Sequence, residues 1–328
     1  MKRRPRRNRK SPVIRDLNVE NRVDVAQLVF PLFVVDGTGV QKEVESLPGI
    51  FTWSLDTVLG EIKSCIQLGI KSFILFPKVD PTLKDKRGSY GYNKDNFYLN
   101  IAKTIKAEFP EVCLISDVAL DPYSIDGHDG IVENGEILND ESLEVLQLMA
   151  IAQAEAGFDI LGPSDMMDGR IGAIRAVLDR NGFTQTSIMS YTAKYASAFY
   201  GPFRDALDSS PVASSDVPKD KKTYQMNPSN LREAMIEANL DVNEGADFLM
   251  VKPAIHYLDV IHLLNENFDI PIAAYHVSGE CAMLIAAAKN GWLDYDAAIQ
   301  ESLLSIKRAG ANVIISYFAK QYAQMQTS

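Results

Sequence analysis

Apolar and polar positions fall along this chain in blocks that repeat one order: an amphipathic helical stretch, a Gly, a small or polar step, then an unbroken apolar run. Four copies are LGIKSFILFP (68–77), AGFDILGPS (156–164), EGADFLMVKP (244–253) and AGANVIISYF (309–318). The Gly suits the left-handed position that closes a helix, and a run without alternation suits a parallel strand covered on both faces. Similar runs predict eight strands, near 29–35, 72–77, 112–118, 159–163, 187–192, 247–251, 271–276 and 312–317. Between most of them lie helical patterns such as DESLEVLQLMAIAQAEAG, NLREAMIEANLDVNEG and YDAAIQESLLSIKRAG. Eight alternating units predict an α/β fold, a (β/α)8 TIM barrel. An open doubly wound sheet is the alternative, and the lack of a GxGxxG after the first strand counts against its dinucleotide-binding form.

The 328 residues suit one barrel domain with an arm: 1–25 as a basic N-terminal arm, 26–328 as the catalytic barrel. No run of apolar residues is long enough to cross a membrane, and 46% apolar content with 23% charged describes a globular chain. Cys65, Cys113 and Cys281 are odd in number, far apart and form no CxxC, which argues against a disulfide framework and fits a cytoplasmic setting. Charge is divided sharply. Seven of the first ten residues are Lys or Arg, so removing that +7 from the overall −10 leaves −17 on residues 11–328. The arm has no apolar h-region of a secretory signal. It reads either as a solvated tail or as an arm that docks on the acidic body of a second copy, with nucleic-acid binding the lesser reading.

In a barrel of this kind chemistry sits where strands end. Polar residues at those ends are Asp117, Ser164, Asp165, Tyr191, Lys194, Lys252, Tyr275, Ser278, Ser316 and Tyr317. Lys252 ends the apolar run FLMVK, where desolvation disfavours an ammonium. Lys194 follows the preceding strand by two residues and is placed at the same mouth. Two neighbouring cations depress each other's pKa and activate an amine to attack a ketone as a Schiff-base nucleophile. Either lysine alone also reads as a rim residue that snorkels or pairs with a carboxylate.

After Lys194 a polar stretch, too long for an ordinary β-to-α connection, reads as a lid over 199–222. It carries Arg204, Lys221 and Lys222, cations suited to clamping a carboxylate, with Phe203 as apolar cover and Gln225 just beyond as a further hydrogen-bond donor. DVALDPYSIDGHDG (117–130) gathers Asp117, Asp121, Asp126, His128 and Asp129, which suits a hard divalent cation or an Asp- and Gly-rich turn without metal. The hydroxyls of Tyr275, Ser278 and Tyr317 either bind a carboxylate without adding charge or are satisfied core groups.

SYTAKYASAFYGPFRDA, YQMNP, LMVKPAIHYLD, YHVSGE and ISYFAK together resemble the porphobilinogen synthases, also called 5-aminolevulinate dehydratases, from about residue 11 to the C-terminus. The resemblance implies condensation of two 5-aminolevulinate molecules to porphobilinogen, an early step of tetrapyrrole (heme) biosynthesis. It implies Schiff bases on Lys252 (propionate, or P, side) and Lys194 (acetate, or A, side). Arg204, Lys221 and Gln225 match the family's A-site carboxylate binders, and Ser278 and Tyr317 those of the P site. Asp117, Ser164 and Asp165 match polar groups lining the A site, Asp117 as a proton-handling candidate. Zinc-dependent members place three cysteines where this chain has Ala119, Asp121 and Asp129. A catalytic Zn2+ is therefore not expected, and neither is an organic cofactor. The chain resembles the magnesium-stimulated branch, in which the match to Glu237 holds an allosteric, hydrated Mg2+ at a subunit interface. By itself Glu237 reads as an ordinary exposed helix residue. The resemblance also implies a homo-octamer of arm-embracing dimers. The rivals are a class I aldolase, which needs one imine lysine, and a basic-armed nucleic-acid binder.

Overall fold

The structure, a computed structural model, describes residues 1–327. Eight parallel strands follow one another around the sheet: Leu28–Val35, Ser72–Lys78, Cys113–Ile115, Ile160–Leu161, Ser187–Lys194, Phe248–Lys252, Ile272–His276 and Val313–Ser316. The last closes on the first, with Leu28 opposite Ile314 and Val29 opposite Ile315, so the predicted barrel is present and closed. The third and fourth strands are shorter than the predicted 112–118 and 159–163. Beyond Ile115 and Leu161 the ladder continues less regularly: Ser116 N–H bonds to the Ile160 carbonyl, and Val118 pairs with Pro163 as an isolated parallel bridge, through Val118 N–H to the Gly162 carbonyl and Ser164 N–H to that of Val118. Two hairpins were not foreseen: Gln41–Glu43 with Phe51–Trp53 beside the first strand, and Ile131–Glu133 with Glu136–Leu138 in the loop after the third.

The repeated Gly has the role its position suggested. Gly69, Gly157, Gly245 and Gly310 have φ of 90°, 93°, 103° and 121°, conformations that a β-carbon disfavours. The polar step that follows does more than end a helix. Asp159 Oδ2 accepts the Leu114 N–H at 2.8 Å, Asp247 Oδ2 the Ile188 N–H at 2.7 Å and Asn312 Oδ1 the Ile272 N–H at 2.9 Å. Each side chain thus staples the start of its own strand to the start of its neighbour, at the end of the barrel away from the candidate site.

The helices Arg232–Glu244 and Tyr295–Ala309 lie within the predicted helical patterns, and Asn139–Glu155 starts one residue before its own; all three cover the barrel with their buried residues. The N-terminal segment holds two short helices, Pro5–Arg9 and Pro12–Asp16, with no buried residue in either. Among the described residues no helix is long and apolar enough to cross a membrane.

Candidate active site

Lys194 is the last residue of the fifth strand, not two residues beyond its end as the sequence pattern suggested. It lies directly opposite Lys252 in the parallel ladder. That register depends on a bulge. Leu249 pairs with Ser190, but Val251 pairs with Ala193, so the fifth strand carries one extra residue between the two pairs. Without it Lys252 would face Ala193. Residues opposite one another in a parallel pair point to the same face, and here both side chains enter the barrel, where their ammonium groups flank the Tyr191 ring at 5.9 and 5.1 Å from its centroid.

The two amines have opposite surroundings. Lys194 Nζ donates to the Ser164 carbonyl and stands 3.5 Å from Asp129 Oδ1. Lys252 makes no hydrogen bond or ion pair among the described residues. Its nitrogen is enclosed by the rings of Tyr275 (4.7 Å), Phe203 (4.9 Å), Tyr191 (5.1 Å) and Tyr200 (5.2 Å). Burial, and then the charge of Lys194, push Lys252 down to about 7 against the pull of Asp117, Asp129 and Asp121. An amine there is half neutral near physiological pH, which is the form that attacks a carbonyl.

Carboxylates divide in the same way. Burial, then Asp121, raise Asp117 to about 7, with Ser164, Lys194 and Lys252 opposing, and its buried Oδ1 has no hydrogen-bond partner among the described residues. Burial raises Asp165 to about 6 against the nearby Arg170. Asp129 goes the other way: burial opposes ionisation, but Lys194 and Lys221 hold its carboxyl well below the usual range. Two carboxyls poised to carry a proton thus lie near one that stays charged.

Residues 198–226 cover the mouth. Ala198–Tyr200 form a 3₁₀ turn and Gly201–Leu207 a short helix, followed by turns pinned to neighbouring loops. Pins include Lys78 with Asp208 at 2.8 Å, His128 Nε2 with the Pro218 carbonyl at 2.8 Å, and Val212 N–H to the Asp126 carbonyl at 3.1 Å. Phe203 packs between Phe33 and Phe76 at 5.7 and 4.9 Å. Below it, Lys194, Lys252, Arg204, Lys221 and Gln225 among others line one small pocket.

The structure therefore brings together most of the residues singled out from sequence. Lys221, read as a carboxylate clamp, is here engaged by Asp121 and Asp129, each at 3.1 Å. These are the same acidic residues that read as metal ligands. Arg204 makes no ion pair among the described residues and lies over the Tyr200 ring at 5.9 Å. Tyr275 and Tyr317 share a 3.1 Å hydrogen bond between hydroxyls, and Ser278 Oγ accepts the Phe203 N–H at 3.0 Å. Ser164 and Asp165 follow the fourth strand, with Ser164 4% exposed and Asp165 0%. Tyr200 was missed. It lies inside the lid segment, and nothing in YASAFYGPF marks it as a wall of the Lys252 pocket rather than as cover.

Glu237 lies apart, on the helix Arg232–Glu244, and is half-buried rather than exposed as the sequence suggested. Burial raises it to about 7; Arg170 opposes this, and Asp241, Asp168 and Glu233 add to it. That surplus of negative charge favours the protonated carboxyl. Among the described residues no three His, Cys, Asp or Glu side chains form a cage. A lone carboxylate fits Mg2+, which keeps most of its waters, better than it fits zinc.

Fold and site together define a β/α-barrel enzyme equipped for amine–carbonyl chemistry. The family model described as Delta-aminolevulinic acid dehydratase matches residues 2–325, and the chain belongs to that family. It is 54% identical to the Delta-aminolevulinic acid dehydratase of Chlamydia pneumoniae, over 97% of this chain and 95% of that one. With the chloroplastic enzyme of Physcomitrium patens it shares 52% identity, over 98% and 73% of the two chains. A solved structure of delta-aminolevulinic acid dehydratase (porphobilinogen synthase) from Toxoplasma gondii ME49, in complex with the reaction product porphobilinogen, superposes with a TM-score of 0.96 at 49% identity, covering 99% of this chain and 92% of that one.

Proposed function

We infer that this chain condenses two molecules of 5-aminolevulinate into porphobilinogen with loss of two waters, in tetrapyrrole synthesis. The observation that carries the reading is the pair of register-matched lysines, one of them held near pKa 7 in an aromatic pocket. Each substrate brings one ketone, and both ketone oxygens leave as water, so two amines able to form imines match the stoichiometry. Lys252 attacks the ketone of one molecule as the neutral amine, and the carbinolamine loses water to the imine. Lys194 does the same for the second, drawing on Asp129 as its counter-charge. Asp117, with a pKa near the working pH, accepts and returns the protons these steps require. Ser278 and Tyr317 hold one substrate carboxylate, with Tyr275 orienting Tyr317. Arg204, Lys221 and Gln225 hold the other. Residues 199–222, which cover the two amines, act as a lid, and Lys221 leaves Asp121 and Asp129 when it engages a carboxylate.

The chain is of the magnesium-stimulated kind, with Ala119, Asp121 and Asp129 in place of the three zinc-binding cysteines. Glu237 would hold a hydrated Mg2+, which supplies charge at a distance from the reacting atoms and takes no part in bond making. The assembly is a homo-octamer of arm-embracing dimers, supported by the +7 of residues 1–10 against the −17 of the rest of the chain, and by Val13 and Leu17, 70% and 80% exposed on the arm. The site is cytoplasmic in this reading, with neither nucleic acid nor membrane as partner.

The test is pyrrole formation from 5-aminolevulinate by chelator-treated protein, supplied separately with Mg2+ or Zn2+. Turnover raised by Mg2+ alone is expected. No pyrrole under any condition would overturn the reading in favour of an aldolase with a single imine lysine, and full pyrrole formation by Lys194→Ala would overturn the two-imine mechanism.

A further inference from the structure

The loops after the sixth and seventh barrel strands carry the groups that flank one substrate, and a single buried carboxylate joins them. Glu280, 1% exposed, stands in the first turn of the helix Ser278–Lys289. Its Oε2 accepts the Val277 N–H at 3.0 Å, and Val277 immediately precedes Ser278. Its Oε1 accepts the Ile255 N–H at 2.9 Å and the His256 N–H at 3.3 Å, with His256 Nδ1 3.0 Å away. Ile255 and His256 lie just past Lys252. A buried carboxylate shared by donors from two loops fixes those loops relative to each other, because charge-assisted hydrogen bonds are strong and short in a low dielectric.

The same knot reaches the base of the lid. The His256 ring stacks on Phe199 at 4.1 Å and 20°. A β-carbon on Gly279 would stand 2.5 Å from the Phe199 carbonyl oxygen, so only glycine permits that approach. Ser278 Oγ in turn accepts the Phe203 N–H, and the Phe203 ring lies 4.9 Å from Lys252 Nζ. No hydrogen bond or ion pair joins Glu280 to Lys252 or Ser278; it acts through their neighbours.

We propose that Glu280 is a positioning residue: with His256 it clasps the two loops and the lid base, and so sets the spacing between the Lys252 amine and the Ser278 hydroxyl. The consequence rests on the reading above, in which those two groups receive the ketone and the carboxylate of one molecule. Ketone and carboxylate in 5-aminolevulinate are separated by two methylenes, so a loop shift spoils both contacts at once and weakens binding more than chemistry.

Glu280→Gln keeps the shape but turns one acceptor oxygen into an NH2 group, which cannot accept an N–H. Wild-type protein is first tested for pyrrole formation; its absence would overturn the functional reading and this proposal with it. With that activity in hand, borohydride reduction and mass spectrometry measure the Lys252 adduct as 5-aminolevulinate is titrated. We expect the half-saturating concentration to rise ~10-fold in Glu280→Gln while turnover at saturation stays within about 3-fold of wild type. A wild-type half-saturation in the folded variant would overturn the proposal, as would lost turnover at unchanged half-saturation. His256→Phe decides the matter if Glu280→Gln does not fold: it keeps the stacking on Phe199 and loses the Nδ1 contact. A rise of about 3-fold then supports the clasp, and no rise overturns it.

Discussion

A primary amine is a ketone nucleophile only when it is both neutral and held in place, and Lys252 meets these two demands by different means. Its burial and the charge of Lys194 make the ammonium costly despite the four aromatic rings around it, since no hydrogen-bond or ion-pair partner compensates among the described residues, while the strand fixes its Cα opposite Lys194. The sign of the pH dependence follows. With the amine near 7, its neutral fraction is roughly one tenth at pH 6 and nine tenths at pH 8. The initial rate of imine trapping is therefore expected to climb ~10-fold between pH 6 and pH 8 and then level off, as stopped-flow or quenched borohydride reduction would show. Asp117 ionises over the same window, so the profile belongs to the pair and not to one group. A rate still climbing steeply above pH 9 would mean that Lys252 keeps an ordinary lysine pKa. Lys252→Ala is expected to lose turnover by at least ~1,000-fold, because the nucleophile itself is gone.

Elements place these side chains, and what holds the elements is partly ionic. Arg170 begins the helix Arg170–Arg180 and is 2% exposed. It pairs with Asp241 at 3.2 Å, donates to Ser190 Oγ at 3.1 Å and to the Tyr191 carbonyl at 3.4 Å, and stands 3.9 Å from Asp165. It thus joins the helix that bears Glu237 to the strand segment whose bulge aligns Lys194. Arg170→Met would leave buried carboxylates unpaired, and a loss of about 3–5 kcal/mol in urea unfolding is expected. Asp247→Ala at the opposite end of the barrel removes one partly solvated staple and should cost only about 1 kcal/mol, with turnover unchanged. Comparable losses in the two variants would show that the Arg170 network is no more than a set of ordinary hydrogen bonds.

For the whole molecule, charge is the organising quantity. A strongly basic segment with no buried residue in its two helices, on a strongly acidic body, is what the proposed docking of the arm on another copy requires. Removing residues 1–15 is expected to give smaller and less active assemblies by sedimentation velocity; a truncated protein that sediments like the full one would exclude the arm as a tie between subunits. Glu237 lies on the helix Arg232–Glu244 and does not line the pocket that holds both lysines, and Glu237→Gln is expected to abolish Mg2+ stimulation while leaving the activity measured without metal within about 2-fold of wild type.

The sequence by itself determined the barrel and its mouth. The repeated Gly, polar step and apolar run encode local rules, helix closure and double burial, which need no distant partner to be read, and all eight strands lie close to where that pattern put them. The lysines, the lid segment and the strand-end hydroxyls were legible because barrel topology alone sends strand ends to one face. Tertiary structure decided what each group does there. The bulge that brings Lys194 opposite Lys252, the aromatic cage to which Tyr200 contributes, the capture of Lys221 by Asp121 and Asp129, and the burial of Glu237 all arise between segments far apart in the chain. Pairing register, desolvation and charge neighbours are properties of the assembled space, and a pKa is set by them rather than by the residue type that the sequence spells out.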